Sequence, residues 1–194
     1  MTGWVIVGLG NPGPAYAATR HNIGYLVLEE LASRMSGRWR RHRSGRADVV
    51  QGRLGAAGGH ESAVVTLVRP RSFMNESGGA VRPVVAYLSV PHDRLAVVHD
   101  ELDLDFGTLR VKYGGGDNGH NGLRSVRRSL GTGDWFRVRL GVGRPSGRHD
   151  PADHVLSAFS SAERRELPEV VARGADAAES LVLRGLHATQ NDYH

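Results

Sequence analysis

The sequence predicts an α/β fold, a single domain in which a twisted, mixed and mostly parallel β-sheet lies between α-helices. Short apolar segments with the length of buried strands alternate with segments in which apolar residues recur at helical spacing. No internal repeat or linker interrupts this alternation, so residues 1–194 are expected to form one domain. A chain of 194 residues is long enough to bury a full hydrophobic core.

The first half of the chain is predicted to contain three strands and two helices. Trp4–Gly8 is a short apolar run bounded by glycine, a pattern that predicts a buried strand. Ile23–Met35 has apolar residues at helical spacing and follows Asn22, the predicted N-cap. The later elements are a basic loop at 34–46, strands at Val49–Leu54 and Ala63–Val68 around a Gly- and Ala-rich turn, and a helix at Val81–Leu88 with a start near Pro83.

The second half is predicted to contain three more strands and two helices. Leu95–His99 is a second buried apolar strand, whereas Leu109–Tyr113 and Phe136–Val142 alternate in the manner of strands. Between those two lies a basic amphipathic helix at His120–Leu130. The final helical segment is predicted at 162–186, with an interruption around Pro168.

The composition excludes several classes of protein. The chain has no cysteine, which rules out a thiolate nucleophile, a zinc ribbon and an iron–sulfur cluster. No apolar run approaches the ~20 residues that span a bilayer, and the N-terminal segment lacks the pattern of a secretory signal. The sequence therefore predicts a cytoplasmic protein without a membrane segment.

The charge is distributed unevenly along the chain. Residues 1–149 carry 21 Lys and Arg against 12 Asp and Glu, while residues 150–194 carry 4 against 8. A basic body followed by an acidic tail favours a partner with a phosphate backbone. A chain biased towards arginine, with 24 Arg among 25 cations, would show a similar surplus without binding nucleic acid.

The glycine-rich segment 8–13 formally satisfies the dinucleotide-binding pattern G-x-G-x-x-G. That pattern requires a helix to begin within the glycines so that its N-terminus faces a pyrophosphate. Here Pro12 and Pro14 stand where the helix would begin, and helical spacing starts only near Asn22. These features argue against a dinucleotide-binding site in this segment.

Polar side chains next to the predicted strands and helices suggest a catalytic site. Asn11 and Asp100 follow predicted strands, at the sheet edge where open α/β folds place their ligands. A carboxylate can hold one nitrogen of a histidine and leave the other to deprotonate water, while amides stabilise an oxyanion. The residues that could supply this chemistry are Asn11, His21, Asn75, Asp100, His120 and Asn121.

Each of these residues also has a purely structural interpretation. His21 could be a surface or capping residue, and Asn11 before Pro12 is a common turn residue. The acidic run 100–105 could be a solvated turn or a metal-binding loop, although the spacing of a calcium loop is absent.

Four sequence blocks, taken together and in order, resemble bacterial peptidyl-tRNA hydrolases. They are VGLGNPGPAYAATRHNIG (7–24), RPRSFMNESGGAV (69–81), HDELDLDFGTLRVKYGGGDNGHNGLRS (99–125) and FRVRLGVGRP (136–145). The resemblance implies a monomeric enzyme with one α/β domain and neither a metal nor a cofactor. Its implied reaction is hydrolysis of the ester between peptide and tRNA in peptidyl-tRNA, which releases tRNA for reuse in translation.

The resemblance also implies a role for individual residues. His21 would be the general base and Asp100 its orienting partner. Asn11 and Asn75 would hold the peptide main chain and the ester region, with Asn75 also donating to the oxyanion. Asn121, together with His120, would shape the site and help to place the water. The residues implied to contact the substrate also include Tyr16, Met74 and His120, with Lys112 and Arg139 gripping a tRNA phosphate. Residues 150–159 correspond to a segment that could cover the site.

Two other functions remain open at this point. One is a non-enzymatic RNA-binding relative of the family, which a direct hydrolysis assay would distinguish. The other is a nucleotide-dependent enzyme that uses residues 8–13, which thermal stabilisation by NAD or NADP would reveal.

Overall fold

The computed structural model describes residues 3–55 and 61–194, whose strands form one seven-stranded sheet with helices on both faces. The strands are β1 (Trp4–Gly8), β2 (Arg40–Arg41), β3 (Ala47–Leu54), β4 (Ala63–Pro70), β5 (Leu95–Glu101), β6 (Leu109–Tyr113) and β7 (Phe136–Gly141). The helices are α1 (Ile23–Arg34), α2 (Ser77–Leu88), α3 (Asn121–Leu130), α4 (Pro151–Val155) and α5 (Ser161–Tyr193). The predicted α/β fold class is confirmed.

The sheet has a parallel centre and antiparallel edges. Its strand order is β2-β3-β4-β1-β5-β7-β6, and the four neighbours β4, β1, β5 and β7 run parallel. Antiparallel pairing joins β2 to β3, β3 to β4 and β6 to β7. Every residue of β1 and β5 is buried, because helices cover both faces of the central strands.

The side chains of the sheet supply two hydrophobic layers. Ile6 and Val98 face α1 and α5, whereas Val5, Val7 and Val97 face α2 and α3. This alternation follows from the two-residue period of a strand, which sends neighbouring side chains to opposite faces.

Two glycines let α1 approach the sheet closely. A Cβ atom on Gly8 would lie 2.5 Å from the carbonyl oxygen of Gly24, and one on Gly24 would lie 2.5 Å from that of Val98. Helix α1 begins at Ile23, ten residues beyond Gly13, so its N-terminus does not lie within the glycine-rich segment. These glycines therefore serve helix packing, and they bring the start of α1 to the carboxyl ends of β1 and β5.

Two predictions for the first half of the chain are wrong in detail. The basic loop contains the short strand β2, because Arg40 and Arg41 pair with the edge of β3. Helix α2 begins at Ser77 rather than Val81, because Gly78 packs against α3 and donates its N–H to Ser125 Oγ at 2.9 Å. Tertiary packing here overrides the low helix propensity of glycine. The predicted turn between β3 and β4 lies mainly at 56–60, outside the described residues.

The final helix differs from its prediction in where it breaks. Helix α5 continues through the exposed Pro168, and the interruption falls instead at Gly185, whose φ of 83° lies in the left-handed region. Past this kink the helix extends to Tyr193, beyond the predicted end at 186. Within the two described ranges, no helix combines the length and the apolarity needed to cross a membrane.

The end of α5 covers the outer edge of β6. Val111 donates its N–H to His194 Nε2 at 2.8 Å, and its carbonyl accepts from Gln190 Nε2 at 2.9 Å. Burial and the nearby Arg110 lower the pKa of His194, which keeps Nε2 an acceptor at neutral pH. The side chains of Gln190 and His194 thus form hydrogen bonds with the backbone of the edge strand β6.

Candidate active site

A cavity of about 310 Å³ opens at the carboxyl ends of β1 and β5. This is the edge at which open α/β sheets bind ligands. Seven predicted site residues line the cavity: Asn11, His21, Met74, Asn75, Asp100, His120 and Asn121. It is also lined by Glu101, Leu102, Asn118, Gly119, Pro151, Ala152, Val155 and Leu156.

His21 and Asp100 form the hydrogen-bonded pair that the sequence predicts. His21 Nδ1 lies 2.9 and 2.8 Å from the two carboxylate oxygens of Asp100, and both side chains are buried. An ionised carboxylate only accepts hydrogen bonds, so Nδ1 carries the proton and donates it. In the neutral imidazole, Nε2 is then the unprotonated nitrogen that can accept a proton.

The neighbouring Arg20 anchors the segment that carries His21. Its guanidinium donates to the carbonyl oxygen of Ala158 at 2.7 Å and forms an ion pair with Glu163 at 2.7 Å. Thr19 forms an isolated antiparallel bridge with Ala158. The short turn before α1 is therefore tied to the segment between α4 and α5, which restricts the position of the histidine.

His120 binds the same carboxylate, and its ring lies close to that of His21, with centroids 4.9 Å apart. Its Nδ1 accepts the backbone N–H groups of Gly122 and Leu123 at 3.1 and 3.3 Å, so His120 is the N-cap of α3. The proton must then be on Nε2, which lies 2.8 Å from Asp100 Oδ1. Asp100 thus accepts from two imidazoles, and the start of α3 fixes the tautomer of the second one.

The two imidazoles keep Asp100 ionised. Burial by itself would raise the pKa of this carboxyl group, because it disfavours the charged form. The electrostatic effect of His21 and His120, together with the hydrogen bonds that they donate, outweighs burial and holds the pKa of Asp100 well below its usual range. A buried negative charge therefore lies next to the proposed base at neutral pH.

A third histidine, His99, contacts both Asp100 and His120. His99 is 1% exposed, and its Nδ1 donates to the carbonyl oxygen of Asp100 at 2.7 Å. Its ring packs edge-to-face on that of His120, with centroids 5.2 Å apart. Burial, followed by the effect of His120, lowers the pKa of His99 to about 3, so this residue is a neutral spacer.

His99 is expected to make folding stability depend on pH. In the unfolded chain this residue takes up a proton below about pH 6.5, whereas in the folded protein it does so only near pH 3. The unfolded state binds more protons in this window, so the free energy of unfolding falls as the pH falls. From pH 7 to pH 5 the loss from this one group is about 2 kcal/mol.

Urea unfolding of wild type and His99→Gln at both pH values measures this contribution. The variant should lose about 2 kcal/mol less than wild type between pH 7 and pH 5. His92→Gln, at a residue outside the buried core, should behave as wild type does. An equal loss of unfolding free energy between pH 7 and pH 5 in wild type and His99→Gln would contradict the lowered pKa of His99.

The side chain of Asn11 holds the neighbouring segment in place. Its Oδ1 accepts the backbone N–H of Met74 at 2.7 Å, which leaves the Nδ2 group to donate. Asn22 does not cap α1 with its side chain as predicted, because its amide binds both the N–H and the carbonyl of Asn11, each at 2.9 Å. This reciprocal pair ties the loop after β1 to the start of α1.

The other predicted contact residues surround the opening. Asn75 and Asn121 are exposed and line the cavity from two sides, while Met74 is buried in its wall. Tyr16 lies outside the cavity lining and packs edge-to-face on Phe73, with centroids 6.0 Å apart. Phe73 is 53% exposed, an apolar surface next to the site that the sequence did not single out.

Comparison with known proteins identifies the family. The sequence model described as peptidyl-tRNA hydrolase matches residues 5–194. The chain belongs to the peptidyl-tRNA hydrolase family. The predicted resemblance and the enzyme class are thereby confirmed.

Relatives and solved structures agree with this assignment over almost the whole chain. Peptidyl-tRNA hydrolase of Kineococcus radiotolerans is 53% identical over 192 residues, which cover 98% of this chain and 96% of the relative. That of Frankia alni is 54% identical over 191 residues, with coverage of 98% and 93%. The crystal structure of peptidyl-tRNA hydrolase from Acinetobacter baumannii has a TM-score of 0.86 at 30% identity and covers 99% of this chain and 94% of its own.

The two predicted phosphate contacts lie beside the cavity, on a face of β6 and β7. Lys112 is on β6 and Arg139 on β7, where Arg139 forms an ion pair of 3.1 Å with Glu101, a residue of the cavity wall. Partial burial, followed by Arg139 and Arg137, lowers the pKa of Lys112. The ion pair between Arg139 and Glu101 therefore places this basic face next to the cavity.

The cluster of His21, Asp100 and His120 has a composition that can bind a metal ion. One ligand atom from each lies within 4.8 Å of the others. The three side chains are already joined by hydrogen bonds of 2.8 to 2.9 Å, so a metal ion would have to displace the bridging protons. Chemistry without a metal ion stays a prediction.

Sequence reasoning missed two contributions to this site. It placed His120 near the site but not its bond to Asp100, which joins residues 20 positions apart. It also left out the anchoring role of Arg20, whose partners lie more than 130 residues away. Helix α4 lines the cavity at residues 151, 152 and 155, where a covering segment was predicted at 150–159.

Proposed function

We propose that this chain hydrolyses the ester bond between the peptide and the tRNA in peptidyl-tRNA, with His21 as the general base. The observation that carries the proposal is the bond from His21 Nδ1 to the buried, ionised Asp100. It leaves Nε2 unprotonated in a residue that lines the cavity. Asp100 both orients the ring and stabilises the positive charge that develops on it.

The proposed reaction uses water as the nucleophile. His21 Nε2 takes a proton from a water molecule while the water oxygen bonds to the ester carbonyl carbon, and the carbonyl oxygen becomes an oxyanion. When the tetrahedral intermediate collapses, the bond from carbon to the 3′ oxygen of tRNA breaks, and the imidazolium returns the proton to that oxygen. The products are a peptide with a free carboxyl group, which then releases its proton to solvent, and a tRNA with a free 3′ hydroxyl group.

Neutral amide side chains around the cavity can bind the peptide main chain and stabilise the oxyanion. Asn75 and Asn121 can donate N–H groups to the oxyanion or to the peptide main chain without adding charge that would perturb the base. Asn11 can donate through Nδ2, because Met74 already occupies its oxygen. Tyr16, Met74 and His120 would complete the walls around the peptide and the terminal nucleotide.

Lys112 and Arg139 would bind tRNA through a phosphate. Their ammonium and guanidinium groups suit backbone contacts that position the acceptor end but do not read the sequence. We further propose that the protein acts in the cytoplasm as a monomer and needs neither a cofactor nor a metal ion.

Hydrolysis of two matched substrates tests the function. The protein should release tRNA rapidly from an N-blocked aminoacyl-tRNA, which carries an amide like that of a peptide, and much more slowly from the free aminoacyl-tRNA. Equal rates would refute the preference for a peptidyl group. A protein that binds both RNAs and cleaves neither would be a non-enzymatic RNA-binding relative.

A further inference from the structure

A second basic surface lies at the same edge of the sheet as the catalytic cavity. Residues 38–46 contain five arginines and no acidic residue. Strand β2 within them runs in the same direction as β1 and β5, because two antiparallel pairings separate it from β4. The turn 42–46 that follows β2 therefore lies at the carboxyl ends of the parallel strands.

This turn forms one wall of a separate cavity of about 580 Å³. The N–H of Arg71 donates to the carbonyl oxygen of Arg46 at 2.8 Å and joins the turn to the segment after β4. That segment, 71–76, also carries Met74 and Asn75 of the catalytic cavity. The second cavity, which we call the arginine pocket, is lined by Gly45, Arg46, Arg71, Ser72, Glu76, Gly79, Ala80, Ser125, Arg128 and Ser129.

Three guanidinium groups converge on the arginine pocket. Arg71 is paired with Asp48 at 3.1 Å, but neither Arg46 nor Arg128 has a carboxylate within 4.0 Å among residues 3–55 and 61–194. Glu76 is the one acidic residue in the lining, so the pocket has a surplus of positive charge. Like charges in a concave site focus a positive potential, which an anion would neutralise.

The pocket also has neutral donors and room for a ligand. Arg46 reaches over the start of α2, where a Cβ atom on Gly79 would lie 3.3 Å from its Nη1. The buried Ser72 Oγ has no hydrogen-bond partner within the described parts of the chain. Guanidinium and hydroxyl groups together form a donor set suited to phosphate oxygens.

We propose that the arginine pocket binds a backbone phosphate of the tRNA substrate, an inference that rests on the proposed function. The RNA backbone is favoured over a free anion because the pocket shares segment 71–76 with the catalytic cavity and lies at the same sheet edge. Lys112 and Arg139 lie on β6 and β7, across the sheet from β2. The tRNA would then be held by cations on both sides of the catalytic cavity.

Kinetics with a long and a short substrate test this proposal. Arg46→Gln combined with Arg128→Gln should raise KM for full-length peptidyl-tRNA about tenfold and leave kcat unchanged. Loss of one phosphate contact should lower the slope of log affinity for deacylated tRNA against log salt by about 1. For an N-blocked aminoacyl trinucleotide ending in CCA, kcat should match wild type, because the double variant leaves the residues that line the catalytic cavity unchanged.

Three further variants calibrate the result. Arg165→Gln removes an exposed arginine from α5, against the opposite face of the sheet, and should leave KM and the salt slope unchanged. Lys112→Ala is the positive reference and should lower the slope by a similar amount. Glu76→Gln removes the carboxylate of the pocket, so it should lower KM for full-length peptidyl-tRNA.

The proposal is overturned if the double variant has the same KM and salt slope as Arg165→Gln. A second arm separates the two sources of phosphate by measuring the Tm in inorganic phosphate at constant ionic strength. If phosphate stabilises wild type but not the double variant while KM for tRNA is unchanged, the pocket binds a free anion and the RNA assignment is wrong. Failure of the function itself is distinguishable, because wild type would then cleave neither substrate.

Discussion

Replacing His21 by Ala is expected to lower kcat for peptidyl-tRNA by about 10² to 10⁴-fold, the contribution of a well-placed general base. The variant keeps Asp100 and His120 but has no nitrogen to take the proton from water. KM should change little, because phosphate contacts distant from His21 supply most of the proposed binding. Stopped-flow or quench measurements under single-turnover conditions separate the chemical step from product release.

The control for this experiment is His92→Ala, which removes a histidine from the turn before β5, outside the cavity. It should retain wild-type turnover. Near-wild-type turnover by His21→Ala would show that another group activates the water. Equal Tm values for the two variants would exclude unfolding as the cause of lost activity.

Asp100→Asn is expected to lower kcat on the order of 10³-fold while preserving the shape of the site. A carboxamide has one acceptor oxygen, whereas the two oxygens of Asp100 accept hydrogen bonds from both His21 and His120. Its NH₂ group must face one of these nitrogens, so that histidine has to change tautomer. The variant also lacks the negative charge that stabilises an imidazolium.

The split between kcat and KM distinguishes this role from a structural one. Loss of the charge that stabilises the imidazolium should lower kcat and leave KM for peptidyl-tRNA unchanged, because the proposed phosphate contacts lie outside the pair. Asp93→Asn, in the same turn as His92, should leave both constants unchanged. An Asp100→Asn enzyme with wild-type kcat would refute the proposed charge stabilisation.

The sequence could predict the centre of the fold and the edge at which the site lies. Apolar runs such as Trp4–Gly8 are local signals, and a polar residue within a few positions of the end of such a run lies near the carboxyl end of a strand. Asn11 and Asp100 meet this condition. The pairing of His21 with Asp100 depended on family resemblance as well, because no local pattern joins residues 79 positions apart.

The remaining features depend on contacts that are distant in the chain. Asn22 has the composition of an N-cap, but the backbone of Asn11 offers its amide two partners, and those bonds prevail. Helix α2 starts with Ser77 and two glycines, and the contact of Gly78 with Ser125 stabilises this start. Helix propensity is a local property and does not include such a contact. Gly185 rather than Pro168 interrupts α5, because glycine can adopt a left-handed backbone conformation that ends regular helix geometry.

The two outer strands of the sheet have a consequence for association between copies of the protein. An unpaired edge strand is a template on which another chain can add a strand and start aggregation. At one edge, β2 has only two residues, and both are exposed arginines that repel a second copy. At the other, Gln190 and His194 occupy the N–H and carbonyl of Val111 in the middle of β6. An incoming strand would have to displace the end of α5, so both edges oppose intermolecular sheet extension.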